Sequence, residues 1–154
     1  MIHCTFFGHR DTPGFVKPVL MTVLRELIEK KNVRQFFVGN QGAYDVMVKK
    51  CLRELKKEYP HIGYAIVLAY LPKKKLIDIE EEETLFPEEL EGIPPWAAIG
   101  ERNYWMVEHS EYVVTYVTRF GSSRDFKDLA VTEGKTVIEL SRLCHAEQPE
   151  EDDI

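Results

Sequence analysis

Residues 102–130 read RNYWMVEHS, EYVVTYVT, RFGSS and RDFKDLA in succession. The pattern parses as helix, buried strand, small-residue turn and second helix. Met106 follows Arg102 by four residues, so the two share one helical side, with Arg102 toward the amino end. The run Tyr112-Val113-Val114-Thr115-Tyr116-Val117 is apolar and β-branched, as a strand covered on both faces should be. Where such a strand gives way to a turn and a new helix, unpaired backbone amides point outward, and anions bind there.

Working outward, the rest of the chain repeats this unit. Ile2 to Phe7 is a short apolar strand that stops at Gly8, because Gly8-His9-Arg10-Asp11-Thr12-Pro13-Gly14 imposes turn geometry. Leu20, Val23, Leu24, Leu27 and Ile28 recur at helical spacing and predict an amphipathic helix ending near Lys31-Asn32. Gln35 to Val38 forms a second strand, followed by Gly39-Asn40-Gln41-Gly42 and a helix with Tyr44, Val48, Cys51, Leu52 and Leu55 on one face. Tyr64 to Tyr70 reads as a third strand ended by Leu71-Pro72, and Lys135 to Leu140 as a fifth after the one at Tyr112. Strands alternating with helices at this spacing predict one α/β domain over residues 1–143. The expected architecture is a doubly wound, mainly parallel, five-stranded sheet in the order 3-2-1-4-5, with helices on both faces.

Two stretches break the pattern. Residues 73–97 carry Lys73-Lys74-Lys75, Glu80 to Glu83 and Ile93-Pro94-Pro95-Trp96 and read as one long loop, a candidate lid. The acidic run Glu80 to Glu83 is expected to face solvent, since it would repel an anionic ligand. Residues 144–154 are acidic and expected to be disordered.

A net charge of −6 argues against a nucleic-acid-binding surface, which needs clustered Lys and Arg. No signal-peptide pattern appears and no apolar run approaches the ~20 residues that span a bilayer, which places the protein in the cytosol. The three cysteines, Cys4, Cys51 and Cys144, are isolated and odd in number, so a disulfide framework is not expected. The five histidines show no metal-ligand spacing, and no cofactor is implied; no lysine sits in a recognisable pyridoxal phosphate setting.

In an open parallel sheet, ligands sit beyond the carboxyl ends of the strands, where the strand order reverses. That point falls between Gly8-His9-Arg10-Asp11 and Arg119-Phe120-Gly121-Ser122-Ser123. Gly121 permits positive φ, and Ser122 and Ser123 can cap the next helix or donate to a phosphate. Arg10 can bind phosphate through two parallel hydrogen bonds, His9 can donate or act as acid/base, and Asp11 can orient either. Gly39, Asn40, Gln41 and Gly42 lie where a ribose or base rests in this architecture. Arg102 and Asn103 complete the candidate set, and Phe86, Trp96, Tyr104 and Trp105 could stack a base from the lid side.

The order Arg102, three residues, Met106, Ser110-Glu111, hydrophobic strand and small-residue turn resembles the SLOG superfamily, which groups the lonely-guy phosphoribohydrolases with the YpsA-like domains. Cys4-Thr5-Phe6-Phe7-Gly8-His9-Arg10-Asp11, Val38-Gly39-Asn40-Gln41-Gly42 and Leu68-Ala69-Tyr70-Leu71-Pro72 are similar to the YpsA-like branch. The resemblance implies a Rossmann-like fold, a nucleotide-like ligand and a homodimer. It also implies an active-site role for Arg102, paired with a carboxylate whose place falls near Asp128. Relatives carry a glycine pair or a longer glycine-rich loop where this chain has Gly121-Ser122-Ser123. That departure favours a nucleotide sensor, binding an ADP-ribose or NAD-like compound, over cleavage of an N-glycosidic bond. An interaction protein with a vestigial pocket is the third expectation. A DNA-processing role, known in a distant branch, is disfavoured by the net charge.

Overall fold

A computed structural model describes residues 1–71 and 82–147. The chain runs β1 (Ile2–Gly8), α1 (Lys17–Lys30), β2 (Val33–Val38), α2 (Gly42–Glu58), β3 (Gly63–Val67), β4 (Thr84–Leu85), α3 (Pro95–Glu108), β5 (Tyr112–Tyr116), α4 (Ser122–Thr132), β6 (Thr136–Glu139) and α5 (Leu140–Glu147). Every strand pairing is parallel, in the order β4-β3-β2-β1-β5-β6. The sheet therefore has six strands rather than five. The anticipated order survives, and Thr84–Leu85 adds an edge beside Ile66 and Val67. Two residues are too short to show any periodicity.

Three boundaries differ from the sequence reading. β3 ends at Val67 rather than Tyr70, and Tyr70 and Leu71 are exposed, so hydrophobicity alone overextended that strand. α3 begins at Pro95, since proline suits the first helical position, where its missing N–H is not needed. Pro95 to Ala97 thus belong to a helix, not to the loop. α5 crosses the boundary drawn at residue 143 and buries Leu140 and Cys144 in the core. Within the acidic run, Glu82 is buried and paired with Arg53 instead of facing solvent. Residues 73–81 of the candidate lid and residues 148–154 of the tail lie outside the described residues.

Strand alternation builds two cores, because neighbouring side chains point to opposite faces. Phe6, Phe36 and Val114 pack with α1, α2 and α5, whereas Phe7, Phe37 and Val113 pack with α3 and α4. Helices thus cover both faces, and the buried strands need not show polar alternation.

The carboxyl end of β1 is locked to α2. The Tyr44 ring is fully buried and its hydroxyl donates to the Val114 carbonyl at 2.9 Å, tying α2 across β1 to β5. Gly8 makes this possible: a Cβ there would lie 2.3 Å from Tyr44 Cγ. Gly8→Ala is therefore expected to destabilise the fold by about 3 kcal/mol, the upper range for overpacking a filled core. Chemical denaturation measures it, and a loss below about 1 kcal/mol would show that the ring can yield.

Candidate functional site

One cavity of about 640 Å³ opens beyond the carboxyl ends of β1, β2 and β5. Strand order reverses between β1 and β5, since the chain leaves β1 for β2 and β3 and returns on the other side at β5. Gly8, His9, Arg10, Gly39, Gln41, Gly42, Arg102, Asn103, Gly121, Ser122 and Ser123 all line the cavity. Asn40, Asp11 and Asp128 do not.

Arg102, a candidate site residue from the sequence, is 2% exposed. A buried guanidinium must find partners for its donors. Nη1 donates to the Val67 carbonyl at the end of β3 at 2.9 Å, and Nε donates to Asn103 Oδ1 at 2.7 Å. Burial lowers its pKa, and the facing Asp45 carboxylate works against that shift. Asn103 is thereby committed to positioning Arg102.

Asp45 was not singled out in the sequence, yet it lines the cavity and is buried. Its Oδ2 accepts the Gln41 N–H at 2.8 Å. Burial pushes its pKa from 3.8 to about 6, against the opposing pull of the Gln41 amide, Arg102 and Lys49. Gly39 lets Asp45 and Arg102 close on the backbone, because a Cβ there would sit 2.9 Å from Asp45 Oδ2 and 3.3 Å from Arg102 Nη2. The available signal was a carboxylate in the first turn of α2 that falls on the helix's apolar side, directly after Tyr44.

Arg10 is exposed at the rim, and among the described residues its guanidinium has no hydrogen-bond or ion-pair partner. Its backbone fits against Gly42, whose φ of +83° and missing Cβ allow the start of α2 to approach Arg10 Cα. The Ala43 N–H donates to the Arg10 carbonyl at 2.9 Å and completes that junction. Arg119 reaches Asp11 at 2.6 Å and holds that carboxyl below its ordinary pKa. Asp11 therefore orients Arg119 rather than Arg10 or His9.

His9 is an acceptor here. Its Nε2 takes the Thr118 N–H at 2.9 Å, which requires a neutral ring with the proton on Nδ1. Burial, aided by Arg119, lowers its pKa and favours the neutral ring that this hydrogen bond requires. The turn serines also differ from expectation. Gly121 is the N-cap of α4 with no side-chain cap, and the Ser123 hydroxyl donates to the Gly8 carbonyl at 2.7 Å. Its proton is thus committed to joining β1 and α4, and the first amides of α4 remain available to a ligand. Gly121 has φ +146°, a conformation that a side chain strains.

The remaining expectations fall elsewhere. Asn40 accepts from Lys49 Nζ at 3.1 Å. Asp128 is an exposed helix residue 3.9 Å from Arg124 and is not among the residues that line the cavity with Arg102. Trp105 packs edge-on to Phe37 and donates to Glu89, and none of Phe86, Trp96, Tyr104 and Trp105 lines the cavity. Among the described residues no cluster of three His, Cys, Asp or Glu could hold a metal, and no helix is long and apolar enough to cross a membrane.

No protein-family model matches the chain, and no curated protein matches it significantly. Among solved structures, the chain is similar to DNA processing protein A from Helicobacter pylori, described for its single-stranded DNA binding mode. The TM-score is 0.61 at 14% identity, over 95% of this chain and 72% of the other. At that identity the likeness concerns the fold alone.

The raised pKa of Asp45 gives a signed prediction. A carboxyl whose pKa rises on folding contributes stability that is fully present below pH 3.8 and lost as pH climbs through about 6. Asp45→Asn removes this dependence. The variant should therefore gain on the wild type between pH 4 and pH 7 by up to about 3 kcal/mol. Parallel denaturation curves at the two pH values check it, and a constant gap would mean that Asp45 ionises as it does in water.

Proposed function

We propose that this protein binds a nucleotide or nucleotide-derived ligand, of the ADP-ribose or NAD type, in the cavity beyond β1 and β5, as a sensing or regulatory module. The observation that carries the reading is a charge inversion. A chain of net charge −6 gathers Arg10, Arg102 and Arg119 around one cavity whose lining contains the single carboxylate Asp45. The amino end of α4 faces the same space and adds about 0.3–1 kcal/mol for an anion, up to about 2 when partly buried. A charge-assisted hydrogen bond from Arg10 contributes a further ~1.5–3 kcal/mol. The resemblance to SLOG proteins points to the same ligand class.

A second reading, cleavage of the N-glycosidic bond of nucleoside monophosphates, is favoured by one feature. Asp45 is a cavity carboxyl with a pKa near 6 that faces Arg102, and such a group can exchange protons at neutral pH. In that mechanism Asp45, which lines the cavity, takes the carboxylate role that the resemblance sets near Asp128. Chromatography for free base after incubation separates the readings, and release of base that depends on Asp45 but not on Asp128 would select the hydrolase.

The net charge disfavours a long nucleic-acid track, but it does not exclude capture of one nucleotide of a strand, and the solved structure of like fold binds single-stranded DNA. The test therefore includes a 5′-phosphorylated oligonucleotide beside mononucleotides, NAD and ADP-ribose. A ligand at a hundredfold excess over its Kd stabilises by about 2.7 kcal/mol and raises the melting temperature by several degrees. Arg10→Ala should leave unliganded stability within about 0.5 kcal/mol and weaken binding by about tenfold or more. No thermal shift with any of these at millimolar concentration contradicts the proposal.

A further inference from the structure

Phe120 occupies an unusual place among the exposed hydrophobic side chains. It is 81% exposed, yet it lines the cavity from the turn between Arg119 and Gly121. Single exposed apolar residues are ordinary on protein surfaces, so exposure alone carries nothing. Here the ring is also held from one side, with Arg124 Cζ 4.1 Å from its centroid. The guanidinium is drawn to the negative face of the ring and fixes its orientation. With 81% of the residue exposed, the ring surface away from Arg124 is open to a planar partner.

The cavity supplies a reason for such a partner. Its volume of about 640 Å³ falls within the ~300–1,000 Å³ typical of small-molecule sites and far exceeds what a bare phosphate fills. Beside its arginines it is walled by Phe7, Ile99 and Met106. An inorganic anion would satisfy the charged half and leave this apolar half against water. A nucleotide carries its phosphate and its aromatic ring on opposite sides of one ribose, so a single ligand can meet both halves.

We infer that Phe120, braced by Arg124, is the platform on which the base of the bound nucleotide stacks, while Arg10, Arg119 and the amino end of α4 hold its phosphate. The inference rests on the phosphate-binding reading of the cavity and adds the base to it. Affinity for the ligand then divides between a ring-dependent part at Phe120 and a charge-dependent part at the arginines. Aromatic stacking tolerates any base, because every base has a π-face, so Phe120 selects for a base without choosing among bases.

Calorimetric titration with adenosine 5′-monophosphate and with ribose 5-phosphate tests this directly. Phe120→Ala should weaken adenosine monophosphate about tenfold, the size expected of one base–aromatic stack, and leave ribose 5-phosphate within twofold. Phe120→Trp should keep the nucleotide affinity and add an indole emission that the nucleotide quenches and ribose 5-phosphate does not. Equal losses for both ligands in Phe120→Ala, or no loss for either, would overturn the stacking role while leaving the phosphate site standing. Failure of both ligands to bind the wild type would instead remove the phosphate site, and the stacking role with it.

Discussion

The carboxyl edge of this sheet depends on a guanidinium that is only 2% exposed at the cavity wall. Arg102 needs partners for its donors, and the fold supplies them from three directions: the last carbonyl of β3, the neighbouring Asn103, and the charge of Asp45 across the bare backbone of Gly39. Removing a partner from such a cluster leaves a buried charge unpaired, which costs several kcal/mol. α3 is consequently pinned to the ends of β2 and β3, and the first turn of α2 is drawn against the same group. Each of these elements then presents one wall of the cavity.

The opposite wall is built by backbone fit rather than charge. Ser123 donates to the Gly8 carbonyl, His9 accepts from Thr118, and Gly42 lets α2 start against Arg10. These contacts spend the polar groups of the turn on one another, and they leave the exposed Arg10, the rim residue Arg119 and the helix amides facing the cavity. An anion entering here meets Arg119 already held by Asp11 and amides fixed in the backbone, so these groups lose little conformational freedom on binding. The same division engages the Ser123 hydroxyl with the Gly8 carbonyl and Asn103 Oδ1 with Arg102 while both residues still line the cavity.

Much of this was legible before any coordinates. The β-branched run at Tyr112–Tyr116 and the helical spacing of Leu20 to Ile28 are strong periodic signals, and the switch point they imply falls at Arg10 and Gly121, which line one cavity together with Arg102, the residue that the resemblance suggests. The failures have physical causes. β4 is two residues long and has no period to detect, and α3 was shortened because prolines at 94 and 95 look like a loop when they in fact start a helix. Hydrophobicity could not stop β3 at Val67, since Leu68 and Ala69 are equally apolar. Asp45 escaped because a carboxylate on an apolar helical face reads as a surface residue until its neighbours are known. The resemblance sets a carboxylate near Asp128 beyond a turn whose glycines differ from those of the SLOG proteins, and in the fold Asp128 is exposed on α4.

The central claim is that Arg10, Gly42 and the start of α4 form one anion-binding surface. Amide chemical-shift mapping of the labelled protein with adenosine 5′-monophosphate tests it most directly. The account predicts that the amides of Arg10, Gly42, Gly121, Ser122 and Ser123 shift together along a single saturating curve, while that of Asp128 stays in place. Absence of any shift at millimolar ligand, or shifts centred on another face of the sheet, would contradict it.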